Sequence, residues 1–100
     1  MGARWRTRVD TRQLRRHVVR IEHPETGALL GTGFFVAPGW VLTAAHVVYD
    51  GSELQRVTVV PADRSVGAEP GAADVKARSE PPPPGAVLWP YPDLALLRVE

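Results

Sequence analysis

Residues 31 to 48 read GTGFFVAPGWVLTAAHVV, and no other stretch of the chain narrows the fold as much. Phe34, Phe35 and Val36 form one strand-like run, and Trp40, Val41, Leu42 and Thr43 form a second. Both are dominated by aromatic and β-branched side chains, which suit a half-buried pleated surface. Between them stand Ala37, Pro38 and Gly39, a turn cluster in which proline presets φ and glycine accepts a positive one. The pattern predicts a β-hairpin. After Thr43 the sequence changes to Ala44-Ala45-His46-Val47-Val48, where two alanines favour a helical turn and let backbone approach the histidine ring. His46 is therefore expected on a short turn that caps a strand.

Short apolar runs closed by turn residues continue on both sides of this hairpin. A first strand is expected over Leu14 to Ile21, followed by the turn Pro24-Glu25-Thr26-Gly27 and a second strand over Ala28 to Val36. Gly31 and Gly33 would weaken that strand unless backbone must approach closely there or a bulge is needed. Trp40 to Thr43 is the third strand, and Leu54 to Val60, closed by Pro61, the fourth. Ala62 to Ala73, rich in glycine, alanine and charge, reads as a surface loop. Asp74 to Ser79 is a candidate fifth strand. Pro81 to Pro84 offer no backbone donors and must leave the sheet, as a stiff loop or as a polyproline II ligand. Leu94 to Val99 closes the set. Six strands with short connections predict an all-β, antiparallel, six-stranded barrel.

A lone histidine beside apolar residues is more often a packed or surface group than a catalyst. The second clue lies downstream, where Trp89-Pro90-Tyr91-Pro92-Asp93 sets an acid directly before an apolar strand. Withdrawing an unpaired carboxylate from water is costly, so Asp93 needs a partner. His46 is the candidate. Asp50 is nearer in sequence, but Asp50-Gly51 is first a turn signal. His17 and His23 read as surface residues at strand ends, and the three histidines follow no metal-ligand spacing. No cofactor motif and no metal site is expected.

Thr43-Ala44-Ala45-His46 and Asp93-Leu94-Ala95-Leu96-Leu97 resemble the histidine and aspartate motifs of trypsin-like (chymotrypsin-fold) serine proteases, in the same order and 47 positions apart. Gly31-Thr32-Gly33-Phe34 is similar to the glycine-bearing strand before the histidine in bacterial members, including the high-temperature-requirement proteases. The resemblance covers roughly Val18 to Val99. It implies that His46 is the general base of a Ser-His-Asp triad and that Asp93 holds the imidazole in the correct tautomer, with help from backbone N–H groups near Ala45 and His46. It implies a fold of two β-barrels, of which this chain would be the N-terminal one. The nucleophile of such proteases stands in a Gly-Asp-Ser-Gly-Gly type loop of the second barrel, beside the oxyanion hole and the specificity pocket. The serines here are Ser52, Ser65 and Ser79, none in a glycine-rich setting. The expectation is a domain over residues 14–100 that carries two triad members, lacks the C-terminal barrel and is inactive alone. Its partner would be a polypeptide substrate once a second barrel completes it. The other reading is a non-catalytic interaction module that self-associates through the exposed inter-barrel face.

Composition bounds the remaining function classes. One hundred residues, 44% apolar and 23% charged, allow one globular domain. Cysteine is absent. With no apolar segment after Met1-Gly2-Ala3-Arg4-Trp5-Arg6, this points to a cytoplasmic setting without a secretory signal or membrane span. Residues 1–20 hold seven arginines and one aspartate, a net +6, while the remainder carries −5. Residues 1–13 thus read as a basic arm. Without a nucleic-acid fold motif, a solvated arm is favoured over a nucleic-acid contact for Arg12, Arg15, Arg16 and Arg20.

Overall fold

The computed structural model describes residues 17–62, 69–86, 88–89 and 92–100. Six strands form: β1 (Val18–Glu22), β2 (Leu29–Ala37), β3 (Trp40–Thr43), β4 (Arg56–Pro61), β5 (Gly71–Arg78) and β6 (Ala95–Val99). A four-residue 3-10 helix, Ala45–Val48, follows β3. The strands close into one barrel in the order β1-β2-β3-β6-β5-β4, every pair antiparallel, with β4 returning to β1. This is the all-β, six-stranded antiparallel barrel that the spacing of apolar runs predicts.

Period-two alternation supplies the core. Val19 and Ile21 of β1, Val41 of β3, Val57 and Val59 of β4, Ala73 of β5, and Ala95 and Leu97 of β6 all point inward and are buried. Among the described strands, closure gives each a partner on both sides. The β2–β3 connection is the two-residue turn Pro38-Gly39, shorter than the sequence indicates because Ala37 still pairs with Trp40. Gly39 has φ +77°, a value that proline followed by glycine meets without strain.

Several expected boundaries differ, those of β2 and of the start of β6 by a single residue. The described part of β1 begins at Val18, and Leu14–Arg16, like the basic arm, lie outside the described residues. Strand four begins at Arg56 and not at Leu54, whose N–H instead bonds the Val48 carbonyl at 2.9 Å. The expected loop over Ala62 to Ala73 is too long, since Gly71, Ala72 and Ala73 pair with Val59, Thr58 and Val57. Small residues have low strand propensity, but Ala73 is fully buried and a narrow barrel interior needs small inward side chains. Pro81–Pro84 leave the sheet as expected.

Candidate active site

His46 is placed by the residues around it more than by its own side chain. Within its 3-10 helix, Ala45, Val47 and Val48 are buried and join the barrel core, so His46 is the residue turned outward. β2 admits this helix because Gly31 has no side chain. A Cβ there would lie 2.7 Å from Val47 Cγ2. Gly33 is required by a second close approach, since its Cβ would lie 2.8 Å from the Leu42 carbonyl oxygen. The adjoining Thr43 hydroxyl is buried and donates to the Thr32 carbonyl at 2.7 Å, which fixes the exit of β3.

Asp93 lies two residues before β6 and meets His46 twice. Its Oδ2 is 2.6 Å from His46 Nδ1, and its Oδ1 accepts the His46 backbone N–H at 3.0 Å. Burial pushes the Asp93 carboxyl upward. The His46 ring hydrogen bond, the His46 backbone N–H, the imidazole's charge and the Ala45 N–H outweigh it and hold the group below its ordinary 3.8. An ionised carboxylate can only accept hydrogen bonds, so Nδ1 carries a proton towards Asp93, and whenever the ring holds one proton the lone pair is at Nε2. The imidazole is 55% exposed and Asp93 25%, so the pair opens to solvent on the histidine side. Chemically this is an oriented base: a ring whose tautomer and tilt are fixed by a carboxylate clamped at both oxygens.

Asp50 is elsewhere, with Oδ2 at 3.7 Å from His23 Nε2. His23 is more than a surface residue at a strand end. Its Nδ1 accepts the Glu25 and Thr26 N–H groups at 3.1 and 3.4 Å and so shapes the β1–β2 turn. Ser52 is exposed in a loop, Ser65 lies outside the described residues, and Ser79 is engaged with Leu94. Trp89, to which the sequence assigns no role at the site, tilts beside the imidazole at 6.4 Å between ring centroids and meets Tyr49 edge-on at 5.5 Å. Its position four residues before Asp93 is the one signal that could have flagged it.

Beside the pair, Thr32, Phe34, Leu42, Asp93 and Leu94 line a concavity of about 270 Å³. Among the described residues no cluster of three metal-ligating side chains is present, and no helix is long and apolar enough to cross a membrane.

No curated protein sequence matches the chain significantly. A family model does: the one described as Trypsin matches residues 5–100. That match spans both the barrel and the two segments that meet at His46 and Asp93, and with it the chain belongs to the trypsin family, the serine proteases that act on polypeptides.

Proposed function

We propose that this barrel supplies the general base and its orienting carboxylate to a trypsin-like serine endopeptidase, with the nucleophile, oxyanion hole and specificity pocket contributed by a second barrel. The observation that supports it is the two-point contact of Asp93 with His46, through Nδ1 and through the backbone N–H. In that role His46 Nε2 takes the proton of a serine hydroxyl as the hydroxyl attacks the scissile carbonyl. It then returns the proton to the leaving amine, and Asp93 stabilises the imidazolium between the two steps. The apolar wall formed by Phe34 and Leu94 would flank the bound polypeptide.

The test is to express the coding sequence extended past codon 100 beside the 100-residue chain. The extended product is expected to react with a fluorophosphonate and to cleave peptides, and His46→Ala to lower its turnover by roughly 10⁴- to 10⁶-fold. The 100-residue chain alone is expected to do neither. Labelling of Ser52, Ser65 or Ser79, or an active His46→Ala enzyme, overturns the reading.

One observation favours the second reading, a barrel that pairs with another copy. Phe34 and Leu94, which line the concavity, are each about half exposed (48% for both). A folded monomer across the micromolar range in sedimentation equilibrium removes it.

A further inference from the structure

The end of β5 touches both segments that meet at the His46–Asp93 pair, through two adjacent side chains that the proposed chemistry leaves unused. The Arg78 guanidinium donates through Nη1 to the Val48 carbonyl at 3.0 Å and through Nη2 to the Leu54 carbonyl. Val48 ends the 3-10 helix that carries His46, and Leu54 closes the loop after it. Carbonyls at a helix C-terminus lack intrahelical donors, and a planar cation with several N–H groups satisfies them well. Ser79 grips the other segment. Its N–H donates to the Leu94 carbonyl at 2.8 Å, its Oγ accepts the Leu94 N–H at 3.0 Å, and the same Oγ lies 3.3 Å from the Leu94 carbonyl oxygen. Leu94 directly follows Asp93.

A break in the β5 register aims these side chains. Val75 pairs with Leu97 and Ala77 with Leu96, so Lys76 is an extra residue in β5. In an unbroken strand Ala77 would follow Ala73 and Val75 on the inner face, and Arg78 would point outward. The bulge reverses this. Ala77 is exposed, and Arg78 stands opposite the buried Ala95 and is itself half-buried. Bulges are devices for re-aiming a side chain, and this one turns a would-be surface arginine into an internal brace.

We propose that Arg78 and Ser79 are positioning residues that jointly set the separation of His46 and Asp93, resting on the assignment of those two as base and orienting carboxylate. β5 is bonded to β4 over Gly71–Asp74 and to β6 as far as Arg78, so its end, held by β6, is the reference. Two neighbouring residues on that reference fix two segments that are otherwise 47 positions apart. Neither touches the reacting atoms. This also gives Ser79 a purpose unrelated to nucleophilic attack.

Hydrogen exchange of the 100-residue chain, read residue by residue by NMR, tests the brace. The His46 backbone amide reports its bond to Asp93, and the amides of β1 and β4 report global stability. In Arg78→Met and in Ser79→Ala, protection of the His46 amide is expected to fall about tenfold relative to the strand amides, the size of one lost hydrogen bond. The Asp93 carboxyl titration should move up towards its ordinary value in both. Arg78→Lys, which can reach one carbonyl, should restore part of the protection. Val59→Ala, a core truncation in β4, should lower strand protection without that selective loss. Unchanged relative protection and unchanged Asp93 titration in both brace variants overturn the proposal while leaving the His46–Asp93 pair intact. If Asp93→Asn changes neither the His46 amide protection nor the ring Nδ1–H resonance, the pair itself is wrong and the brace falls with it.

Discussion

His46 and Asp93 meet at 2.6 Å, but the two segments that bring them there are held by different physics. The histidine's segment is fastened by burial. Ala45, Val47 and Val48 are core residues, and Gly31 opens the space they occupy. The aspartate's segment has Leu94 about half exposed and is held by polar contacts, to His46 on one side of Asp93 and to Ser79 on the other. Apolar packing is non-directional and tolerant of small shifts. Hydrogen bonds are directional and lost abruptly when geometry fails. Lost packing in the first segment should therefore appear as instability, and a lost polar contact, at Asp93, at Ser79 or at Arg78 beneath the His46 turn, as lost alignment in a folded protein.

The largest separation of the two should come from Asp93→Asn. In the extended, catalytically complete product it is expected to cost on the order of 10⁴-fold in turnover, because an amide facing Nδ1 favours the wrong tautomer. Its denaturation midpoint should barely move, since an amide oxygen still accepts the His46 N–H. A large stability loss with proportionate activity would show that Asp93 serves the fold and not the chemistry.

Gly31→Ala attacks the other segment. The added methyl group meets the buried, β-branched Val47, which has little freedom to turn away. Overpacking of this kind costs about 1–3 kcal/mol, and urea titration should show it as a lower midpoint. The contact between His46 and Asp93 should persist in the folded fraction. If Gly31→Ala left stability unchanged but abolished the Nδ1–H resonance, the assignment of burial to one segment and alignment to the other would be reversed.

These contrasts also mark what could be read from the sequence. The strands were legible because inward residues such as Val19, Ile21, Val41, Val57 and Val59 alternate with outward ones and turn residues close each run. His46 and Asp93 were legible because each stands at the edge of an apolar run in a recognisable motif. Gly71–Ala73 were not, since small side chains carry little strand signal and their place is decided by partners on β4. Arg78 was hidden for a sharper reason. Period-two counting along β5 sends it to solvent, and only the pairing of Val75 with Leu97 and Ala77 with Leu96 reveals the extra residue that turns it inward. Ser79 could be rejected as a nucleophile from its neighbours, but its bonds to Leu94 join positions 15 apart and leave no local trace.

Acid should separate the segments more gently. The Asp93 carboxyl is held below its unfolded value, so its contribution to stability is fully present above about pH 4 and is lost as pH falls through the lower, folded value. Urea midpoints measured from pH 6 to pH 2 should fall more steeply for the parent than for Asp93→Asn, which has no such proton to bind. Parallel curves would mean that the carboxylate gains nothing from His46 in the folded state.

The smallest effect is expected from the charge cluster of Arg56, which is bonded to Asp74 at 3.0 Å and to Glu100 at 2.6 Å. By distance alone it looks as strong as the His46–Asp93 pair. All three of its side chains are substantially exposed, at 50%, 39% and 62%, so water and salt screen the attraction and ordering three side chains offsets most of it. Arg56→Met should cost no more than about 1 kcal/mol, shrink further in high salt, and leave the His46 amide protection and the Asp93 titration where they were. The cluster joins β4, β5 and the residue after β6, so it does tie strands together. It ties strands at positions that backbone bonds already hold, whereas Asp93 reaches the His46 turn beyond Thr43 and Ala95, where the pairing of β3 with β6 stops. A short contact adds alignment only where nothing else fixes the geometry. An Arg56→Met variant that loosened the His46–Asp93 contact would show that the barrel transmits strain across its strands and that the brace at Arg78 and Ser79 is not a local device.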